Sequence, residues 1–221
     1  LVSTVRAQVA STDYEHRELE GASTGTVFQN RGVDGRIEAD HAAVSALGGM
    51  RGLWGMQLGN TRFAALGEEA FVPSTQSTQQ AAFALESWQH QAATVNLGLR
   101  MDHHRVRSAG DDNAATPRFG AASEHSFNTG ALSLGAQWDV GSGWQLLADV
   151  SHTERAPTFY ELYAHGLHVA TGAIEVGDAN LRPERGVQMD VGAEYRSGPQ
   201  RARLSVYDSE FGNYIVQSRS T

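Results

Sequence analysis

The chain has 221 residues, no Cys, 24 Gly and 5 Pro, and its 17 basic and 25 acidic side chains leave a formal net charge of −8. That balance, with no basic run, excludes a nucleic-acid groove, and zero Cys excludes a disulfide framework, a Cys-type zinc finger and an iron–sulfur site while leaving His and carboxylate metal sites open. No stretch approaches the ~18 consecutive apolar residues of a membrane helix, which says nothing against a membrane protein built of strands, whose signal is alternation.

Alternation runs through the whole chain. Val5, Ala7 and Val9 begin it, and Trp54, Met56 and Leu58 repeat it. Val95, Leu97, Leu99 and Met101 share one parity against Thr94, Asn96, Arg100 and Asp102. Leu132, Leu134, Ala136, Trp138 and Val140 do the same, followed by Trp144, Leu146, Ala148 and Val150, and then by Val187, Met189, Val191, Ala193 and Tyr195. Successive strand side chains point to opposite faces, so each segment has one apolar and one polar face. About nine strands are expected, at roughly 3–17, 26–42, 50–66, 79–89, 93–107, 124–140, 143–156, 186–196 and 200–211. Helical period is confined to one short stretch, Thr158–Ala164.

The connections sort by length. Gly48-Gly49, Gln89–Ala92, Gly141–Gly143 and Ser197–Gln200 read as tight turns, and longer polar loops fall at about 17–25, 67–78, 107–124 and 157–185. Short turns on one side and long loops on the other describe an outer-membrane barrel, with the apolar parity facing lipid and the polar parity facing the lumen. Several strands exceed the usual length of ~5–6 residues, which suits a tilted span of a bilayer. The expected fold is all-β, an antiparallel transmembrane β-barrel segment. Nine strands cannot close a bacterial up-and-down barrel, whose number is even, so residues 1–221 read as one part of a larger barrel domain. The first residues, Leu1-Val2-Ser3-Thr4-Val5-Arg6, carry neither a charged start nor a long apolar run, so no signal peptide is expected within the chain.

Three blocks stand in order along the second half: Glu154-Arg155-Ala156-Pro157-Thr158-Phe159-Tyr160-Glu161-Leu162-Tyr163, then Gly177-Asp178-Ala179-Asn180-Leu181-Arg182-Pro183-Glu184-Arg185, then Phe211-Gly212-Asn213-Tyr214-Ile215. In this order and spacing they resemble the barrel domain of TonB-dependent outer-membrane receptors. The insert Ala164-His165-Gly166-Leu167-His168-Val169-Ala170-Thr171-Gly172, followed by Ile174-Glu175-Val176-Gly177, resembles the zinc-uptake (ZnuD-type) subgroup. The resemblance implies a 22-stranded barrel with a plugged lumen, energised by the TonB complex of the inner membrane. It implies a receptor seated in outer-membrane lipid that carries zinc, as the ion or on a carrier, as cargo and performs no enzymatic chemistry. Plug, signal peptide and C-terminal strands are expected to lie outside this chain.

Nine His are many for this length. By the strand map His41 and His90 lie near tight turns, and the other seven (His16, His103, His104, His125, His152, His165, His168) lie in the outer half, where a substrate arrives. Imidazole is the commonest zinc ligand. His103 and His104 are adjacent in a strand and point to opposite faces, so they cannot share one ion. His103 and His152 take the lipid parity, His104 takes the lumen parity, and His125 borders a loop. Pro157 can open a short helical turn and Gly166 can end it, placing His165 at a helix end and His168 in a loop. Their i, i+3 spacing lets both meet one ion if the backbone turns and forbids it if the backbone is extended.

The resemblance also implies a zinc site shared between plug and barrel. In the zinc-uptake receptors a segment near the first strand carries a His and, two residues on, an acidic residue facing the plug; here these positions are His16 and Glu18. Glu15 and Arg17 depart from that pattern and leave the register open. Glu18 and His168, with His165 and His16 beside them, are therefore the expected metal-binding residues. Two barrel ligands leave a tetrahedral zinc incomplete, and plug or water completes it. The rival readings are a siderophore or other metal-complex receptor, with an aromatic and Arg-rich surface, and a passive porin or adhesin. A barrel enzyme would rely on Asp102 and His104 as its candidate dyad. Asp111-Asp112-Asn113 lacks the spaced oxygens of a calcium loop and reads as a solvated outer loop.

Overall fold

The computed structural model describes residues 2–21, 23–44, 48–67, 70–168 and 172–218. Nine strands form one antiparallel sheet: β1 (Val2–Glu20), β2 (Ser23–Val44), β3 (Met50–Gly67), β4 (Thr75–His90), β5 (Ala93–Ser108), β6 (Ser123–Gly141), β7 (Trp144–Arg155), β10 (Glu184–Ser197) and β11 (Gln200–Gly212). Between β7 and β10 the chain forms a short helix α1 (Phe159–Tyr163) and a separate hairpin of β8 (His165–His168) and β9 (Ala173–Val176). Each strand of the large sheet pairs with the next one along, as in an up-and-down wall, and β1 and β11 are the end strands of that order.

The register sorts side chains as the alternation required. On one face lie Val5, Val9, Ile37, Trp54, Met56, Leu58, Leu99, Met101, Leu132, Leu134, Val150, Met189 and Val191, all exposed. Large apolar side chains left in the open in such numbers call for an apolar surrounding, which lipid supplies. Trp54, Trp138 and Trp144 mark the short-turn end of this face, and Trp144 packs against Tyr195 at 5.0 Å between ring centroids. Aromatic rings toward the short-turn end of the wall fit a membrane–water interface. The opposite face carries charge pairs and amides, among them Arg6 with Asp40 at 2.6 and 2.7 Å and Arg100 with Asp102 at 2.7 and 2.8 Å.

One expected loop is a strand. The segment at 17–25 does not loop: β1 runs to Glu20 and β2 starts at Ser23, with Gly21 in the left-handed region at φ +60° and a register shift between Glu18 and Leu19. Beyond the apolar belt both faces of the strand are polar, so the apolar–polar alternation fades while the hydrogen-bonded ladder continues. The helix falls on the expected stretch Thr158–Ala164, with Thr158 as its N-cap and Ala164 as its C-cap; Phe159 rather than Pro157 is its first residue, and Gly166 lies beyond its end. The remaining long connections lie at the outer end, at 68–74, 109–122 and 156–183.

Candidate functional site

The connection between β7 and β10 is folded tightly from its own residues. Thr158 and Glu161 form a reciprocal capping box: the Thr158 N–H donates to Glu161 Oε2 at 2.7 Å, and the Glu161 N–H meets Thr158 Oγ1 at 3.5 Å, satisfying donors that so short a helix leaves open. Arg155 donates through both terminal nitrogens to Glu161, each at 3.0 Å, and through Nη2 to Glu184 at 3.3 Å. Glu184 in turn accepts the backbone N–H of Ile215 at 2.9 Å. The first two sequence blocks therefore meet at the Arg155 guanidinium, and the third is tied to them through Glu184. Burial by itself would raise the Glu161 carboxyl, but Arg155 and the Thr158 N–H outweigh it and hold that group below the ordinary carboxylate range.

Gly177 closes the fold of the loop. Its N–H donates to Ala164 O at 2.7 Å, the Asp178 N–H donates to Glu161 O at 2.9 Å, and a Cβ at 177 would stand 2.8 Å from the backbone of Glu161, Leu162 and Tyr163. Only glycine permits that approach. The loop then lands on the polar face of the sheet. Phe71, Val72 and Ala164 form a small buried core, with Phe63 and Phe159 against it. The His165 N–H donates to Phe71 O at 2.7 Å, joining β8 to the segment before β4. Tyr163 Oη donates to Val106 O at 3.1 Å and meets His125 Nδ1 at 2.8 Å, so the His125 ring carries its proton on Nδ1.

His168 lies on Phe71, ring centroids 4.4 Å apart and planes 16° apart, and its Nδ1–H donates to Glu175 Oε1 at 2.7 Å. Glu175 also lies within electrostatic reach of Tyr160, whose phenol is pushed up by burial first and by that charge second. From His168 a run of rings crosses the polar face. Phe71 meets Tyr160 (6.1 Å), Tyr160 meets Phe63 (5.7 Å), Phe63 meets Phe28 (6.3 Å), and Phe28 stacks on His16 (4.7 Å, 11°). Tyr14 follows at 5.5 Å from His16.

The expected metal-binding residues are placed as follows. His16 and Glu18 share the polar face of β1, opposite Phe28 and Thr26. His168 is half-buried on β8 and His165 is exposed three positions earlier. Since β8 is extended, those two imidazoles point to opposite faces, which is the geometry that forbids a shared ion. Among the described residues no three His, Asp or Glu side chains gather as a metal cluster. Glu175, beside His168, was not singled out from sequence; its position opposite Gly166 across the β8–β9 hairpin was the missing information. The aromatic run was missed for the same reason, being assembled from β1, β2, β3, α1 and the segment before β4.

Other histidines serve other partners. His103 is on the lipid-facing parity and bonds Asn128 at 2.8 Å. His41 holds Glu86 at 2.9 Å near the short-turn end. His104 Nε2 stands 3.8 Å from Asp102, a carboxylate already bonded by Arg100 and by Gln79 at 2.7 Å. A dyad of Asp102 and His104 would need that carboxylate to orient the imidazole, and at 3.8 Å no hydrogen bond joins them.

The profile of the family "TonB dependent receptor-like, beta-barrel" matches residues 4–221. Among solved structures the chain is similar to the copper transporter OprC (TM-score 0.67, 18% identity, over 82% of this chain and 30% of that one). It is also similar to the hemophore receptor HasR of Serratia marcescens, solved as a double mutant with its hemophore HasA and heme (TM-score 0.65, 16% identity, over 95% of this chain and 40% of that one). The chain thus spans less than half the length of either. At these identities the likeness is one of fold; the family profile over residues 4–221 carries the assignment: this chain belongs to the TonB-dependent receptor β-barrel family.

Proposed function

We propose that this chain forms part of the wall of an outer-membrane TonB-dependent uptake receptor whose cargo is a metal, with zinc the ion that suits its donors best. The observation that carries this reading is the His168–Glu175 pair, an imidazole and a carboxylate 2.7 Å apart in a loop folded over the lumenal face. A carboxylate on one ring nitrogen is the arrangement that orients metal-binding histidines, and nitrogen with oxygen is a zinc donor set. Glu18 and His16 offer a second donor pair from β1 on the same face, with His165 exposed at the loop surface.

Neither pair alone fills a tetrahedral site. The remaining ligands would come from a plug domain or from water, and that division has a use. A half-site in the wall holds the ion only while its partner half is in place, so withdrawal of the plug by the TonB complex lowers affinity in one step. Imidazole ligands bind metal in the neutral form, so capture weakens as the medium turns acidic.

A second reading has its own observation. The ring run from His168 to His16 is a surface for a flat, aromatic metal complex, since stacked and edge-on rings each contribute about 0.5–1.5 kcal/mol beyond area.

Calorimetry of zinc against the full receptor polypeptide in detergent, beside His168→Ala and Glu175→Gln, tests the proposal. Saturable binding weakened about tenfold or more in both variants supports zinc. Zinc binding unchanged in both removes the ion from this loop, and tight binding of an iron porphyrin without zinc binding selects the second reading.

A further inference from the structure

At the outer edge of the apolar belt, the lipid-facing parity turns basic. Across β1 to β6 one cross-strand row reads Asp13, Arg31, Arg62, Gln76, Arg107 and Glu124. Arg105 stands on the same face two positions along β5, sharing Glu124 with Arg107. Asp13 answers Arg31 at 3.0 Å. Arg62, exposed and directly opposite Arg31, makes no ion pair or hydrogen bond among the described residues. Two like charges opposite each other in a sheet destabilise it unless an anion lies between them. The concentration of arginine is notable in a chain of net charge −8.

The height of this row is fixed by the strand. Trp54 lies on the same parity of β3 near its short-turn end, and Arg62 is eight positions further on. Eight residues rise about 27 Å along a strand, or about 20 Å along the membrane normal at a tilt of about 40°. An apolar band of about 25 Å leaves the backbone of Arg31 and Arg62 about 5 Å inside its outer edge, and the long arginine stems carry both guanidinium groups up to the headgroup level of the outer leaflet. Between them lies a groove of about 340 Å³, lined by Ser11, Asp13, Arg31, Asn60 and Arg62. Guanidinium forks match phosphate oxygens, and the groove's hydroxyl and amide add donors.

We propose that Arg31 and Arg62 clamp the phosphate headgroup of an outer-leaflet lipid. The proposal rests on the reading of the chain as an outer-membrane barrel. The leaflet is the source to which the site commits, because the groove opens on the lipid-facing side at headgroup height, away from the lumen where a soluble phosphate would travel.

The test is native mass spectrometry of the full receptor polypeptide in detergent, with bis-phosphorylated lipid A, its dephosphorylated form, and inorganic phosphate as probes. The expected result is retention of the phosphorylated lipid, weakened about tenfold in Arg62→Gln and further in Arg31→Gln/Arg62→Gln. Equal retention of the dephosphorylated lipid overturns it, since the apolar belt alone would then suffice. Inorganic phosphate that displaces the lipid stoichiometrically at equal concentration overturns the leaflet as source. Unchanged retention in both variants, with heat-modifiable mobility showing a folded barrel, overturns the clamp. Failure of the underlying reading is seen separately, as absence of the wild-type protein from the outer-membrane fraction.

Discussion

Phe71 and His168 lie ring on ring, 4.4 Å between centroids, although they belong to two different connections of the wall. The stack orients an imidazole that a loop alone would leave to rotate. Truncating the ring is therefore expected to act on ligand capture rather than on the sheet. Phe71→Ala should weaken zinc binding by about three- to tenfold, from loss of about 0.5–1.5 kcal/mol of stacking. Calorimetry reads the affinity, and unchanged resistance of the barrel to heat shows that the wall is intact. An affinity equal to wild type would place the metal elsewhere.

Gly177→Ala sets a Cβ 2.8 Å from three backbone atoms of α1. Backbone cannot rotate aside as a side chain can, so β9 must lift away from the helix. A cost of about 1–3 kcal/mol is expected, confined to the loop. Limited proteolysis of the folded receptor should cut at 156–183 much faster in the variant, with the strands uncut.

Arg155→Lys replaces a fork by a point charge at a place where two carboxylates and a helix cap meet. The loop should loosen as it does in Arg155→Ala, and a double-mutant cycle with Glu184→Gln should show coupling between the two sites. A lysine variant as protease-resistant as wild type would contradict the role of the fork.

Two carboxyls in the outer loops sit below their ordinary range. The backbone N–H of Arg118, with burial opposing and with Phe119 and Gly120 assisting, holds Asp111 down, and Arg155 does the same for Glu161 against the burial that opposes it. A group whose folded pKa is depressed stabilises the fold above its unfolded pKa and loses that contribution as pH falls through its folded value. Both loops should therefore stay ordered through neutral pH and open in acid, below about pH 4. Hydrogen exchange at Arg118 and Phe119, whose amides bond Asp111 at 2.7 Å, follows the first. Asp111→Asn should move its opening out of that acid window, and exchange that does not depend on pH beyond the chemical rate would refute the assignment.

The two faces of the wall predict opposite tolerances. Met101→Arg places a charge on the lipid side and should cost about 2–4 kcal/mol near the midplane. Arg100 and Asp102, its neighbours in sequence, already show that the other face accepts charge. Refolding equilibria into lipid vesicles for Met101→Arg and Ser133→Arg should differ by that amount.

The strands were legible because lipid on one side and water on the other imprint a period of two. Leu132, Leu134, Ala136 and Trp138 carry it without a break. Where both faces are wet the imprint is lost, so the upper part of β1, with His16 and Glu18, reads as a loop although it is paired with Phe28 and Thr26. The blocks around Arg155, Glu184 and Ile215 were legible as family signatures, but their physical job, a chain of bonds from Arg155 through Glu184 to the Ile215 N–H, depends on which strands are neighbours. Gly166 illustrates the limit most plainly. A sequence reader assigns it to ending a helix, whereas its use is contact: a Cβ there would press on Phe71 at 3.2 Å. Glu175 could be recognised as a partner of His168 only once β8 and β9 were paired.

The lengths of β1 and β2, 19 and 22 residues, carry one more consequence. A tilted strand needs about 9–11 residues to cross a bilayer, so roughly half of this hairpin stands in water as a parapet, backed by β3 as far as the Thr26–Gly67 pair. His16 and Glu18 are on the part that rises clear. A cation met at that height keeps its hydration until protein removes it, and the low dielectric of the membrane adds nothing to its retention. On the proposed uptake reading, shielding a bound ion at that height from competing chelators therefore falls to the protein around it and not to the bilayer.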